Sequence, residues 1–179
     1  MKRIISVVLA AVCIAALCSG CGSVSYAESD QIIIPAKQLA DYIGQDNTVI
    51  VDMQAEEDYL TSHIPGAVNI QLKDITVSLP VENMLAPKGK IAKVLGGSGI
   101  DNSTTVVIYD EGGSLNSARL WWSMLVYGHD NIKVVSGGLP AIQSQGLEMT
   151  ADLPEITPKE FVVEDRRDQY LVEMKDVLA

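Results

Sequence analysis

The stretch that decides the fold is VVIYDEGGSLNSARLWW, residues 106–122. It opens with Val106 to Tyr109, an apolar and mostly β-branched run that predicts a buried strand. Two acidic residues and two glycines follow, which is typical of a tight loop. Asn116 to Tyr127 then predicts a helix, with Gly128 as the expected stop. A buried strand, a loop and a helix in this order indicate an α/β domain.

Two other short runs, Val49 to Val51 and Ile132 to Val135, are also dominated by β-branched residues and predict further strands. Because Val49 to Val51 and the run at 106–109 are apolar almost throughout, we expect strands that are covered on both faces of a parallel sheet. Helix-like segments alternate with the strands, which predicts right-handed crossovers in a layered α/β fold. The other predicted helices are Pro35 to Ile43, Glu56 to Leu60, Lys90 to Leu95 and Leu139 to Gln145.

Two segments resemble the rhodanese family of sulfurtransferases. In the first, Asp52 ends a strand and is followed by Ser62-His63-Ile64-Pro65-Gly66-Ala67, which is similar to the family's Asp-x-Arg and Gly-His-Ile-Pro-Gly-Ala. The second runs from Val106 to Gly138 and resembles the N-terminal, non-catalytic half of tandem thiosulfate or mercaptopyruvate sulfurtransferases. The resemblance covers residues 31–150. It implies a three-layer α/β domain with a central, mainly parallel sheet flanked by helices.

In the active domains of this family, a catalytic cysteine directly follows the strand that corresponds to 106–109 and opens a loop whose backbone N–H groups converge on its sulfur. Asp110 stands at that position. All three cysteines, Cys13, Cys18 and Cys21, lie near the N-terminus, so the chain from residue 22 onward has no thiol nucleophile, disulfide or Cys-ligated zinc. A carboxylate cannot form a persulfide, and its charge opposes thiosulfate binding. We therefore predict no catalytic residue and no autonomous turnover.

The loop after the strand is nevertheless the candidate binding site. Arg119 lies nine positions after Asp110, whereas the family places an Arg five positions after its Cys, so the family's substrate-binding role does not carry over. Arg119 either reaches an interdomain cleft or pairs with Asp52 or Asp110, and we expect a structural role. Asp110 and Glu111 are expected in a solvated loop, not as an acid–base pair. The candidate loop residues are Asp110, Glu111, Gly112, Gly113, Ser114, Leu115, Asn116 and Arg119.

Further positions favour structural roles. Gln54 and Ser62 stand where the family motif has Arg and Gly, which predicts a weaker salt bridge or turn. His63 and His129 are expected to fix loops by hydrogen bonds. With two histidines and no cysteine after residue 21, the sequence predicts no transition-metal site and no cofactor, although acidic clusters could bind calcium weakly.

The N-terminus has the layout of an export signal. Lys2 and Arg3 precede an apolar stretch that is too short for a spanning helix, and Ser-Gly then precedes Cys21. This resembles a bacterial lipobox, which implies that Cys21 carries a lipid, although ordinary cleavage near Tyr26-Ala27 is the alternative. We expect an exported protein that is lipid-anchored to the cell membrane or otherwise secreted or periplasmic. The predicted parts are residues 1–21 as signal, 22–30 as linker, 31–150 as domain and 151–179 as connector and C-terminal helix.

Charge limits the partners. Removing Lys2 and Arg3 leaves 11 basic against 23 acidic side chains, a net charge of −12, which disfavours nucleic acid. The expected partners are a protein or a small anionic or sulfur ligand, and a C-terminal rhodanese domain. Apolar residues at helical spacing in Asp168 to Leu178 favour a C-terminal rhodanese domain as the partner. Two hypotheses follow: a non-enzymatic, membrane-tethered binding domain, or the N-terminal half of a tandem sulfurtransferase.

Overall fold

A computed structural model of the chain describes residues 31–172 and 174–177. Seven strands are present there: β1 Ile33–Pro35, β2 Thr48–Asp52, β3 Val68–Asn69, β4 Thr76–Val77, β5 Met84–Leu85, β6 Thr105–Tyr109 and β7 Ile132–Ser136. Five of them form one parallel sheet in the order β1-β7-β6-β2-β3, and β4 and β5 form a separate antiparallel pair. This mainly parallel sheet confirms the predicted fold class.

Helices cover both faces of the sheet. They are α1 Glu56–Thr61, α2 Leu72–Ile75, α3 Lys88–Gly97, α4 Leu115–Val126, α5 Gly138–Ser144 and α6 Met174–Val177, with 3-10 helices at Ala36–Asp41 and Asp168–Tyr170. Successive side chains of β6 enter opposite cores, because strand side chains alternate between the two faces. Val106 and Ile108 join the core that includes Leu120 of α4, whereas Val107 joins the core that includes Ile142 of α5. The continuous apolar run in the sequence therefore reflects burial on both faces.

The register of the two central strands positions the candidate site. β2 and β6 are parallel and paired along their whole lengths, from Thr48 opposite Thr105 to Asp52 opposite Tyr109. Both strands therefore end at the same edge of the sheet. The loop that begins at Asp110 leaves this edge beside Asp52.

The shortest elements were not predicted. The segment expected to be a helix from Pro35 to Ile43 is the end of β1 followed by the 3-10 helix Ala36–Asp41. Strands β1, β3, β4 and β5 have two or three residues each, which is too short for a periodic pattern. The three longer strands and the helices at 56, 90, 116 and 139 are confirmed within a few residues at each end.

The segment predicted as a connector packs against the domain. Phe161 is buried in the same core as Leu120, and the Lys159 N–H donates to the Gly96 carbonyl at 2.9 Å. Farther along, Arg167 forms an ion pair of 2.6 Å with Asp130. The boundary at residue 150 stays a prediction. In place of one helix from Asp168 to Leu178, the structure has the 3-10 helix, an extended Leu171, and α6.

Among residues 31–172 and 174–177, no helix combines the length and apolar character that crossing a membrane requires. The predicted signal and Cys21 lie outside the described residues.

Candidate functional site

Three backbone N–H groups surround the carboxylate of Asp110. Its Oδ1 accepts from the N–H groups of Gly112 at 3.0 Å and Ser114 at 3.2 Å, and its Oδ2 accepts from the N–H of Ser117 at 3.2 Å. The residue is 1% exposed. We call these three N–H groups the cradle. Because N–H groups aimed at one point favour a negative charge there, the loop has the geometry of an anion site whose occupant is Asp110 itself.

Unusual backbone conformations create the cradle. Gly112, Gly113 and Ser114 have φ angles of 136°, 84° and 58°, and Ser114 is a non-glycine residue in the left-handed region. The next loop closes the site: the Leu139 N–H donates to the Asp110 carbonyl at 2.8 Å. A Cβ atom at Gly138 would lie only 2.6 Å from that carbonyl oxygen and 2.9 Å from Oδ1. Gly138 is therefore required for the close approach of the two loops.

The expectation of a solvated loop is wrong for Asp110 and correct for its neighbours. Glu111 and Leu115 are exposed, and the Asn116 amide donates weakly to the Glu111 carboxylate at 3.4 Å. Asp110 is buried because the loop folds back and places its own donors around the side chain. The roles of Ser117 and Gly138 were not predicted from the sequence. The sequence contains one signal for the hydrogen bonds to Asp110, since an Asp before a glycine-rich turn commonly accepts hydrogen bonds from the following backbone.

Arg119 does not pair with Asp52 or Asp110, so that alternative is wrong. Its Nη2 donates to the carbonyl of Asn83, in the loop between β4 and β5, and the guanidinium carbon lies 4.7 Å from the centre of the Trp122 ring. Burial lowers the pKa of Arg119. The side chain links α4 to the β4–β5 hairpin. With Leu72, Asn83, Leu115 and Asn116, it lines a cavity of about 190 Å³.

A second buried carboxylate, that of Asp52, lies at the end of β2, beside Tyr109 at the end of β6. Asp52 accepts a 2.5 Å hydrogen bond from the Tyr109 hydroxyl, which itself accepts from the Ile64 N–H at 3.1 Å. The backbone and side-chain N–H groups of Gln54 donate to the same carboxylate at 2.8 Å. Burial raises the pKa of Asp52, and the hydrogen bonds from Tyr109 and Gln54 oppose that rise. Gln54 thus supplies neutral hydrogen bonds where the family motif has a salt bridge.

The two histidines differ. The ring of His63 stacks on Tyr59 with its nitrogens 2.7 Å and 3.1 Å from the carbonyls of Tyr59 and Asp152, which confirms a loop-fixing role. His129 is buried against Phe161, and neither ring nitrogen has a hydrogen-bond partner within the described residues. The expected loop-fixing hydrogen bonds of His129 are therefore absent from the described part of the chain. Burial lowers its pKa, although the nearby backbone of Thr104 and Asn131 opposes this in part.

The parallel sheet with helices on both faces defines a layered α/β domain. Its candidate site is the loop of converging N–H donors at the end of a central strand. The sequence matches the family described as Rhodanese-like domain over residues 35–145, which is more than half of the chain. The chain therefore belongs to the rhodanese-like domain family.

Similar curated proteins are sulfurtransferases by name. The chain is 34% identical over 110 residues to the probable 3-mercaptopyruvate sulfurtransferase of Schizosaccharomyces pombe, covering 61% of this chain and 37% of that protein. It is 36% identical over 96 residues to the mitochondrial thiosulfate/3-mercaptopyruvate sulfurtransferase 1 of Arabidopsis thaliana, covering 52% and 25%. In both cases the match spans well under half of the relative's length.

Solved structures agree on the fold. SseA from Escherichia coli, a 3-mercaptopyruvate sulfotransferase, matches with a TM-score of 0.70 and 24% identity, over 83% of this chain and 60% of that one. Tum1 from Saccharomyces cerevisiae matches with a TM-score of 0.71 and 17% identity, over 83% and 55%. At these identities the likeness concerns the fold alone.

Proposed function

We propose that this chain is a catalytically deficient rhodanese-like domain that acts by binding. The occupation of the cradle supports this most directly: the Asp110 carboxylate accepts all three N–H groups and is 1% exposed. Sulfur transfer needs a thiolate that accepts sulfane sulfur and donors that stabilise the resulting anion. Here the nucleophile is absent from residue 22 onward and the donors are already used. The loop's exposed side, at Glu111 and Leu115, is left for recognition.

The first prediction concerns turnover. We expect the purified chain to produce no thiocyanate above the protein-free rate from cyanide with either thiosulfate or mercaptopyruvate. Asp110→Cys is expected to gain one sulfur atom in mass when incubated with either donor, because it places a thiol among the three N–H groups; as the persulfide forms, thiosulfate releases sulfite and mercaptopyruvate releases pyruvate. The measurements are a colorimetric thiocyanate assay and intact-protein mass spectrometry.

Glu111→Cys is the matched control. It places a thiol one residue away, on an exposed side chain outside the cradle, and so reports the reaction of any accessible thiol. Equal sulfur uptake by the two variants would show that the cradle gives no advantage. Thiocyanate production by the unmodified chain would falsify the proposal.

A partner-half role is the second candidate. Three apolar side chains of the β4–β5 hairpin are exposed, Leu79 by 83%, Val81 by 64% and Met84 by 45%, as is Leu115 of α4 by 80%, which lines the cavity beside Arg119 and Asn83. Exposed apolar residues in one region are typical of an interaction surface. In this alternative, a C-terminal rhodanese domain carries the catalytic cysteine and packs here. A downstream coding segment with a cysteine in the corresponding loop would support it, and its absence from the genomic locus would count against it.

We also propose export and lipid anchoring through Cys21. The charged start, the apolar stretch and the Ser-Gly-Cys sequence support this. The second prediction is that the protein in its native host fractionates with membranes and incorporates labelled fatty acid, and that Cys21→Ser abolishes the label. Cys18→Ser is the control, since it removes a neighbouring thiol but leaves the lipidation position. Retention of the label in Cys21→Ser would exclude Cys21 as the anchor.

A further inference from the structure

His129 is buried beneath the chain segment that follows α5. The residue is 1% exposed, and the centre of its ring lies 5.7 Å from the centre of the Phe161 ring. Within residues 31–172 and 174–177, neither ring nitrogen of His129 has a hydrogen-bond partner. A neutral imidazole carries one N–H donor, and an imidazolium carries two. Protonation would therefore add a second buried donor without an acceptor, together with a charge that is removed from water.

Phe161 belongs to an extended segment that is held against the domain from outside. We call residues 159–167 the strap. It contains no helix or strand residue, so its position depends on its contacts with the domain. Hydrogen bonds of 2.7–2.9 Å fix it at three points, which are Lys159 with the Gly96 carbonyl, the Val162 backbone with the Asn102 side chain, and Arg167 with the Val126 carbonyl.

The residues on either side of His129 hold the end of the strap. The Arg167 guanidinium donates to the Gly128 carbonyl at 3.1 Å and forms an ion pair of 2.6 Å with Asp130. His129 itself contacts the middle of the strap through Phe161. Three consecutive residues of the loop between α4 and β7 thus contact the strap, and the central one is a histidine.

Charged side chains surround the His129 ring. Two carboxylates act on it from the loops before β6 and β7, namely Asp101 and Asp130. Three more charged groups belong to the strap, namely Lys159, Glu164 and Arg167. The two cations of the strap pair with the two carboxylates of the domain at 3.1 Å and 2.6 Å. A positive charge on His129 would compete with both cations for the same carboxylates, so it weakens the strap at two points.

The ion pairs of the strap are less sensitive to mild acid than the histidine. The hydrogen bond from Ser103 lowers the pKa of Asp101, and the hydrogen bond from Arg167 lowers that of Asp130. Burial lowers the pKa of His129. A group whose pKa is lower in the folded state contributes stability that is complete above its ordinary pKa, about 6.5 for histidine, and is lost as pH falls below it. The contact should therefore respond to pH through His129.

We propose that His129 is an acid-sensitive latch, in which protonation of the buried ring displaces Phe161 and releases the strap while the parallel sheet stays folded. The opposite face of the sheet has its own core, which includes Ile142 and not Phe161. Release of the strap would expose the core that Phe161 shares with Leu120, and it would free the segment from residue 168 onward. This adds control by pH to the proposed binding role and does not depend on the occupation of the cradle.

The third prediction is that acid loosens the strap selectively. Between pH 7.5 and pH 5, we expect the protection of the Lys159, Glu164 and Arg167 amides against hydrogen exchange to fall by about 30-fold, the factor by which a histidine of ordinary pKa favours its protonated form at pH 5. The Met53 and Ile70 amides, which bond between strands of the sheet, should keep their protection. NMR on the full chain gives the rates, each compared with the rate of an unstructured peptide at the same pH.

His129→Leu is the matched variant, because leucine packs against Phe161 at a similar volume and does not titrate. His63 is the other histidine of the sequence and is present in both proteins, so the difference between them isolates His129. We expect the strap of the variant to keep its protection at pH 5. Equal loosening in both proteins, or none in the unmodified chain, would overturn the inference. Loss of protection at Met53 together with the strap would also overturn it, since the whole domain would then be unfolding.

Should His129→Leu not fold, proton NMR titration of the unmodified chain provides the second measurement. The proton on Cε1 of His129 should titrate with a midpoint below about 6.5. The ring resonances of Phe161 should move toward their unstructured values with the same midpoint, and they are assigned directly because the sequence has one phenylalanine. A midpoint at or above about 6.5, or Phe161 resonances that do not follow the titration, would overturn the inference.

Discussion

Tyr109→Phe is expected to lower the free energy of unfolding by about 3 kcal/mol at neutral pH. Tyr109 is fully buried, and its hydroxyl both donates to Asp52 at 2.5 Å and accepts from the Ile64 N–H at 3.1 Å. Removing the hydroxyl takes a donor from a buried carboxylate and leaves a backbone N–H with no acceptor. The two losses add because each leaves a polar group buried without its partner. Urea denaturation followed by tryptophan fluorescence measures the change.

The loss should also depend on pH. Burial raises the pKa of Asp52 in the folded state, so its contribution to stability is fully present below its ordinary pKa and is lost as pH rises through the folded value. The hydrogen bond from Tyr109 holds that pKa down, and its removal raises the pKa further. The penalty of Tyr109→Phe should therefore be larger at pH 7 than at a pH near 4, because a higher pH favours the charged carboxylate that the hydrogen bond stabilises.

Tyr127→Phe is the matched control. Its hydroxyl is also buried but donates to a neutral carbonyl, that of Ala86, at 2.7 Å. We expect a loss of about 1 kcal/mol that varies little between the two pH values. A Tyr109→Phe penalty no larger than that of Tyr127→Phe would mean that the Asp52 network contributes nothing special to stability.

The contrast between Tyr109 and Asp110 shows how far the sequence could predict this molecule. The strand at 106–109 was predictable because apolar, β-branched runs depend on local residue chemistry. That Tyr109 reaches Asp52 depends on the register of β2 against β6, which brings together residues 57 positions apart. Sequence alone places both residues at strand ends but does not place them in contact.

The position of Asp110 could be predicted from the sequence, but its burial could not. The resemblance to the rhodanese family identifies Asp110 as the residue at the expected cysteine position, directly after a predicted strand. Its burial could not be predicted from composition, because two acidic residues beside two glycines are most often solvated. Left-handed backbone at Gly113 and Ser114 turns the N–H groups inward, and the approach of Gly138 closes the site. Both depend on tertiary packing between the loops after β6 and β7.

Arg119 illustrates the limit of motif spacing. The offset of Arg119 from Asp110 did not identify its partner: the expected alternatives were an interdomain cleft or a pairing with Asp52 or Asp110, whereas the guanidinium donates to a carbonyl of the β4–β5 hairpin. The hairpin was not predicted, since its strands have two residues each. A partner on an unpredicted element cannot be inferred from spacing. The exposed side chains around this link became visible only with the fold.

Gly138→Ala is expected to destabilise the domain by about 4 kcal/mol and to open the cradle. Gly138 has a φ of 53°, so an L side chain is strained there, and the added methyl would lie 2.6 Å from the Asp110 carbonyl oxygen and 2.9 Å from both Oδ1 and the Gly112 nitrogen. None of these atoms belongs to a flexible side-chain end that can move aside freely. We therefore expect the loop at 110–114 to be displaced. Urea denaturation gives the loss of stability, and hydrogen exchange at Gly112, Ser114 and Ser117 reports the opening.

Gly113→Ala is the control that separates backbone strain from steric contact of the added methyl group. Gly113 also has a positive φ, 84°, but nothing lies within 4 Å of the position of its added Cβ atom. It should cost about 1 kcal/mol, from backbone conformation alone. The difference between the two variants then measures the contact between Gly138 and Asp110. Equal losses, with equal exchange rates at the three amides, would mean that the loop at 138 does not hold Asp110 in the cradle, and that the burial of the carboxylate depends on the Asp110 loop alone.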